Sequence, residues 1–308
     1  MKKEKTRWGF VIMVIVFLTL LGFIFAGFVS LFTTDFESFG GNVALIPIKG
    51  VIIADSDGEF LFESILSSTE TIELIKKADT NPNIKAIVFE INSPGGSAVA
   101  SDEIAAAIKK TNKTTVAWIR EIGASGAYWA ASACDYVVAN RMSLTGSIGV
   151  IASYLEFAGL LEDHNVSYRR LVAGKYKDIG SPFKKMNENE ELLFQKSLNK
   201  IHDYFIEEVV ENRGLTEQEK IRISDGLFYI GSEAKELGLV DILGNKDEVI
   251  KLIEDKLGIT ADIVEYKKEK TIFDILSRVF SEQSFFVGKG IGSAIFNQRI
   301  VNKIDITT

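Results

Sequence analysis

From residue 42 onward the apolar positions fall into two alternating rhythms. Short runs rich in β-branched and aromatic residues predict strands: Val43-Ala44-Leu45-Ile46-Pro47-Ile48, Lys85 to Ile91, Thr115 to Ile119, Asp135 to Ala139, Ser147 to Ile151 and Val166 to Val172. Pro47 hints that the first of them lies at a sheet edge. Between the strands, Thr69 to Ala78, Ala98 to Lys110 and Leu155 to Glu162 read as helices, and Asn92-Ser93-Pro94-Gly95-Gly96-Ser97 reads as a dense turn. Repeated strand-helix-strand units imply an α/β fold with mainly parallel pairing and right-handed crossovers. After a loop at 173–187, Phe194, Leu198, Ile201, Phe205 and Val209 recur at helical intervals, predicting a long helix with an apolar stripe for core or subunit contact. Thr216 and Glu219 form a capping-box pattern, Gly238 to Asp241 close a further helix before a strand, and Asp247 to Leu257 reads as the last clear helix.

The N-terminus follows neither rhythm. Trp8 to Phe32 is a run of 25 residues without a charge, and a bilayer needs about 20. Lys2, Lys3, Lys5 and Arg7 precede it while Asp35 and Glu37 follow, which puts the N-terminus in the cytoplasm and the remainder outside a cell membrane crossed once. A cleaved leader would have a shorter apolar run and a small-residue cleavage site. The expected organisation is a basic N-terminus at 1–7, a transmembrane anchor at 8–32, a linker at 33–41, the main domain at 42–259 and a C-terminal extension at 260–308. Within that extension Ile272, Phe273, Ile275, Leu276, Val279 and Phe280 make an amphipathic piece suited to a neighbour or a membrane surface.

Composition narrows the chemistry. With 308 residues, 46% hydrophobic, the chain can bury a sizeable core, and a net charge of -7 argues against nucleic acid as a partner. A single cysteine, Cys134, excludes an intramolecular disulfide and reads as a buried structural thiol among alanines. Two histidines, His164 and His202, offer no zinc-type cluster and no partner motif, so surface or capping roles are expected for both. No cofactor is implied.

The segment Arg120 to Ala131 hands a strand over to a small-residue helix through Ser125. Ser125 reads either as a helix N-cap or as a nucleophile at a helix entrance, where free backbone N–H groups can hold an oxyanion. A serine nucleophile needs a base, and a lysine can serve if an apolar site disfavours its ammonium form. Lys177 stands in a loop with turn residues and flanking aromatics, Gly174-Lys175-Tyr176-Lys177-Asp178-Ile179-Gly180-Ser181-Pro182-Phe183; taken alone it reads as a solvated surface charge.

Four segments together resemble the signal peptide peptidase A family, membrane-anchored Ser-Lys serine proteases of the ClpP/crotonase fold. They are Asn92-Ser93-Pro94-Gly95-Gly96, Gly123-Ala124-Ser125-Gly126-Ala127-Tyr128, Thr145-Gly146-Ser147-Ile148-Gly149-Val150 and Gly174-Lys175-Tyr176-Lys177. The likeness covers roughly Val43 to Leu257. It implies a spiral of βαβ units with Ser125 as nucleophile, Lys177 as general base and Ser147 as the hydroxyl orienting the lysine amine. It also implies an oxyanion hole from the Gly96 and Gly126 N–H groups. Ser147 and Lys177 lie 22 and 52 residues beyond Ser125, spacings similar to those of single-domain family members. Remnant signal peptides and other extended apolar peptides are the implied substrates. A homo-oligomer, an octamer with the dyad shared between protomers, is the implied assembly. The chain departs from the family at Ala127, Leu227 and Ile230, which bears on helix packing and subunit contact. Two rival readings are a catalytically inactive membrane scaffold of the same fold and a crotonase-type acyl-CoA enzyme. The second would use acidic catalytic residues on a soluble chain.

Overall fold

A computed structural model describes residues 8–33, 40–55 and 65–267, with side chains of the first helix described at Gly9 and over 12–27. The order is α1 (Trp8–Thr33), β1 (Val43–Ile53), β2 (Ile65–Ser67), α2 (Ser68–Thr80), β3 (Ala86–Gly96), α3 (Ala98–Lys109), β4 (Thr114–Ala124), α4 (Gly126–Ser132), β5 (Tyr136–Ala139) and β6 (Leu144–Gly146). Then come α5 (Ala158–Asp163), α6 (Glu188–Arg213), α7 (Glu217–Ile223), β7 (Phe228–Ile230), α8 (Gly231–Glu236), β8 (Ile242–Leu243), α9 (Lys246–Leu257) and β9 (Ile263–Glu265).

One sheet runs β2-β1-β3-β4-β5-β8, with β6 on the far end of β4, β7 on β6, and β9 beside the start of β1. Every pairing is parallel except β6 with β7. Parallel strands buried on both faces call for near-continuous apolar runs, which residues 43–46 of β1, 86–89 of β3 and 116–119 of β4 supply. Val43, Leu45, Ala86, Val88, Val116 and Val138 pack with Val249 and Ile253 of α9 on one face. The alternate residues Ala44, Ile46, Ile87 and Phe89 are buried with no or almost no exposure, where α2, α3 and α4 meet β1 and β3. Pro47 pairs with Glu90 on β3, and on the other side of β1 it falls between the β9 contact at 43–45 and the β2 contact at 51–53. Its missing N–H therefore sits where no second neighbour asks for one.

Several expectations need revision. The turn expected at 92–97 is strand as far as Gly96, because Gly95 and Gly96 pair with Val51 and Ile52 of β1. The strand expected at 147–151 lies earlier and stops at Gly146: Gly146 (φ 76) and Ser147 (φ 50) turn the chain out of the ladder in succession. Residues 166–172 are exposed and form no strand; among the described residues they have no ladder to join. The sheet takes in β9 beyond the boundary expected at 259.

Helix α1 is 26 residues long. Among the described residues no helix is long and apolar enough to cross a membrane. The amphipathic piece at 272–280 lies outside the described residues.

Candidate active site

β4 ends on Ala124 and α4 begins at Gly126, so Ser125 occupies the junction. Its φ of 53 and ψ of -128 are neither helical nor extended, and its hydroxyl makes no capping bond. An N-cap serine has extended backbone and accepts from the first turn; this one does neither, and the cap reading falls. A non-glycine residue held in such a conformation costs on the order of 1–3 kcal/mol and persists only where the surroundings over-determine it. Here they do: Ser125 N–H donates to Gly146 O (2.9 Å), Trp129 N–H donates to Ser125 O (3.0 Å), and Ala124, Ala127 and Tyr128 on either side are fully buried. The Tyr128 hydroxyl donates to Leu239 O (2.8 Å), and the Trp129 ring stacks on Phe205 of α6 at 4.5 Å. Ser125 is thus the one half-buried residue in an otherwise buried junction.

The glycines of β3 lie against this junction. A Cβ on Gly95 would stand 2.7 Å from Gly126 N and 3.0 Å from Ser125 Cβ, and one on Gly126 would stand 3.4 Å from Gly96 N. The Gly96 and Gly126 N–H groups are thus neighbours beside Ser125, and Gly126, as first residue of α4, has no acceptor within its helix. Buried Ser93 fixes this approach by donating to Gly50 O (2.6 Å) and accepting from Gly95 N–H (3.1 Å).

Ser147 joins the group from the next strand. It follows Gly146, whose carbonyl holds Ser125, and its own N–H donates to Leu227 O (2.8 Å). Of the departing residues, Ile230 lies in β7, the antiparallel partner of β6, and Leu227 immediately precedes that strand. His202 of α6, expected at the surface, is half-buried with Nε2 3.0 Å from Ile148 O.

Lys177 lies in the loop that follows residue 172. It is exposed, in a turn where its N–H donates to Gly174 O (3.1 Å). Among the described residues no side-chain hydrogen bond joins it to Ser125 or Ser147, and neither histidine reaches Ser125. The Cys134 thiol is buried and its pKa pushed up by that burial, as suits a structural thiol. Burial would raise the Glu90 carboxyl, yet Lys49 (2.7 Å) and Arg120 (2.9 Å) hold it below its usual value.

Sequence reasoning missed Ser93, His202 and Thr145, whose hydroxyl donates to Gly123 O (2.7 Å). Ser93 and Thr145 were visible inside the segments that carry the resemblance, but nothing in the order of residues marks what their hydroxyls bind.

Residues 107–272 match peptidase family S49. A Methanocaldococcus jannaschii protein, MJ0651, provisionally named a protease, is 31% identical over 304 residues, covering 95% of this chain and 96% of its own length. An Enterococcus faecium protein provisionally named signal peptide peptidase SppA is 30% identical over 236 residues, 75% of this chain and 69% of its own. Protease 4 of Salmonella typhi is 31% identical over 241 residues, 77% of this chain and 38% of its own.

Proposed function

The chain belongs to peptidase family S49 and is a serine protease, and from that premise we propose that it is a membrane-anchored endopeptidase working through a Ser125–Lys177 dyad. The observation that carries the reading is the strained, unbonded Ser125 hydroxyl beside the Gly96 and Gly126 N–H groups. In the proposed reaction the uncharged Lys177 amine takes the Ser125 proton as Oγ attacks the peptide carbonyl. The tetrahedral oxyanion rests on Gly96 and Gly126 N–H. The carbon–nitrogen bond then breaks, the lysine proton passes to the leaving amine, and water, deprotonated by the same amine, hydrolyses the acyl-serine. Ser147 orients the amine.

On the family's pattern the amine that serves Ser125 comes from a neighbouring copy, and the exposure of Lys177 in its own chain suits that arrangement. This supports a homo-oligomeric ring, an octamer on the family's pattern, within the spiral ClpP/crotonase type of fold. Exposed apolar side chains in the Lys177-bearing part of the chain, among them Ile151, Leu155, Leu160 and Leu171, suit burial against that copy. Residues 8–32 anchor the assembly, leaving the catalytic domain outside the cytoplasm, and the substrates are remnant signal peptides and other extended apolar peptides.

A serine-directed acylating probe and a fluorogenic apolar peptide test this together on the full chain in detergent. Wild type is labelled and turns the peptide over, and Ser125→Ala does neither. Labelling or turnover by Ser125→Ala contradicts the nucleophile; absence of both from wild type favours a scaffold.

A further inference from the structure

We propose that Asp178 is a positioning residue that fixes the Lys177 turn to the body of the protein; this rests on Lys177 being the general base. The turn has a defined internal shape. Lys177 N–H donates to Gly174 O (3.1 Å), Ile179 N–H to Tyr176 O (3.2 Å) and Ser181 N–H to Asp178 O (3.0 Å), and Gly174 (φ 94) and Gly180 (φ 80) supply the left-handed bends at either end. These bonds are local and residues 174–177 are exposed, so they shape the turn without tying it down.

The tie is the Asp178 carboxylate. Arg170 grips both of its oxygens through Nε and Nη2, the second contact at 2.8 Å, and Nη2 also donates to Lys175 O (3.3 Å) inside the turn. Lys184 approaches the same carboxylate at 3.3 Å and extends to Glu190 Oε1 at 2.6 Å. Glu190 is only 3% exposed. Its other oxygen accepts from Asn187 N–H (3.2 Å) while Glu190 N–H donates to Asn187 Oδ1 (3.1 Å), the capping box that starts α6. A continuous relay therefore runs from the turn through Asp178, Lys184 and Glu190 into a 26-residue helix. The same helix carries His202 against Ile148 O, one residue beyond Ser147. Isolated surface ion pairs contribute little, but a two-pronged guanidinium–carboxylate contact continued into a buried, capped glutamate is geometrically specific.

Charge supports the assignment. Two cations and two carboxylates balance within the relay. Arg170 foremost, then Lys184, holds the Asp178 carboxyl down at about 2, so the anion next in sequence to Lys177 stays charged and occupied with its own partners. The residue's work is to set where the amine points when a neighbouring Ser125 arrives, and a displacement of about 1 Å at such a group costs on the order of a hundredfold in rate.

The test is peptide hydrolysis by the full chain in detergent. Asp178→Asn is expected to lower kcat about tenfold or more with KM held within about twofold, with the size-exclusion profile unchanged. Asp178→Glu is expected to recover part of the loss. Should Asp178→Asn fail to assemble, Arg170→Lys keeps the charge and gives up the second prong, and the same fall in kcat is expected. Wild-type kcat in whichever variant assembles, while Lys177→Ala is inactive, overturns the proposal. An active Lys177→Ala overturns the general-base reading instead.

Discussion

Adding one methyl group at Gly126 tests the packing that holds the candidate site together. A Cβ there would lie 2.1 Å from Ser101 Oγ and 3.0 Å from Ser101 Cβ. Ser101 is fully buried, and its hydroxyl donates to Ser97 O at 2.9 Å, so it cannot swing into solvent. Either the hydroxyl rotates and forfeits its bond, at about 1–3 kcal/mol for a buried polar group left unpaired, or α4 moves away from α3, at about 1–3 kcal/mol for an overpacked core. Taking one route or part of both, Gly126→Ala should destabilise by about 1–4 kcal/mol, which for a domain of this size lowers Tm by roughly 2–16 °C. Thermal unfolding of the full chain in detergent measures it. Ser101→Ala in the same chain removes the 2.1 Å contact and leaves the 3.0 Å one, so the double variant should recover part of the loss and no more. The activity of Gly126→Ala should fall further than its stability explains, because the shifted N–H is the proposed oxyanion donor. A Tm within about 2 °C of wild type, or no recovery with Ser101→Ala, would refute the reasoning.

Three further outcomes follow from the same description. Gly96→Ala would place Cβ 2.1 Å from Ile52 O and 2.6 Å from Ile52 N, both backbone atoms. It should therefore be more damaging to folding than Gly126→Ala, which circular dichroism of the two proteins compares directly. The Asp178 carboxyl sits below its ordinary value, at about 2, through Arg170 first; a depressed acid stabilises above its unfolded pKa and loses that contribution as pH falls through the folded one. Stability from this group should thus be flat from neutral pH down to about 4 and decline below, and urea unfolding should show Asp178→Asn lacking that acid-side decline. Deletion of residues 1–41 should move the protein from the membrane to the soluble fraction on centrifugation; retention in the membrane would count against the anchor.

The helices were legible in the sequence because their signals are local: Ala98 to Lys109, the Thr216–Glu219 box and the helix ending at Leu257 each follow from spacing and caps within a few residues. The extension of β3 through Gly95 and Gly96 was not, since two glycines become strand only when β1 offers Val51 and Ile52 as partners. Val166 to Val172 shows the converse, β-branched residues without a ladder. At the site, the order of residues nominated Ser125 but left its role open between cap and nucleophile. Removing the cap reading took a backbone angle, φ 53, held by Gly146 from another strand. The relay through Asp178 was equally hidden, because it depends on where Arg170, Lys184 and Glu190 meet in space.

The most direct test of the central claim, that Ser125 of one copy is served by Lys177 of another, is complementation between two dead variants. Ser125→Ala and Lys177→Ala chains, each inactive alone, are co-expressed, purified together and assayed for peptide hydrolysis. With sites built across a heterologous interface, random mixing restores roughly a quarter of wild-type activity per chain. Mixed assemblies as inactive as either parent, or a Lys177→Ala chain active by itself, would contradict the account.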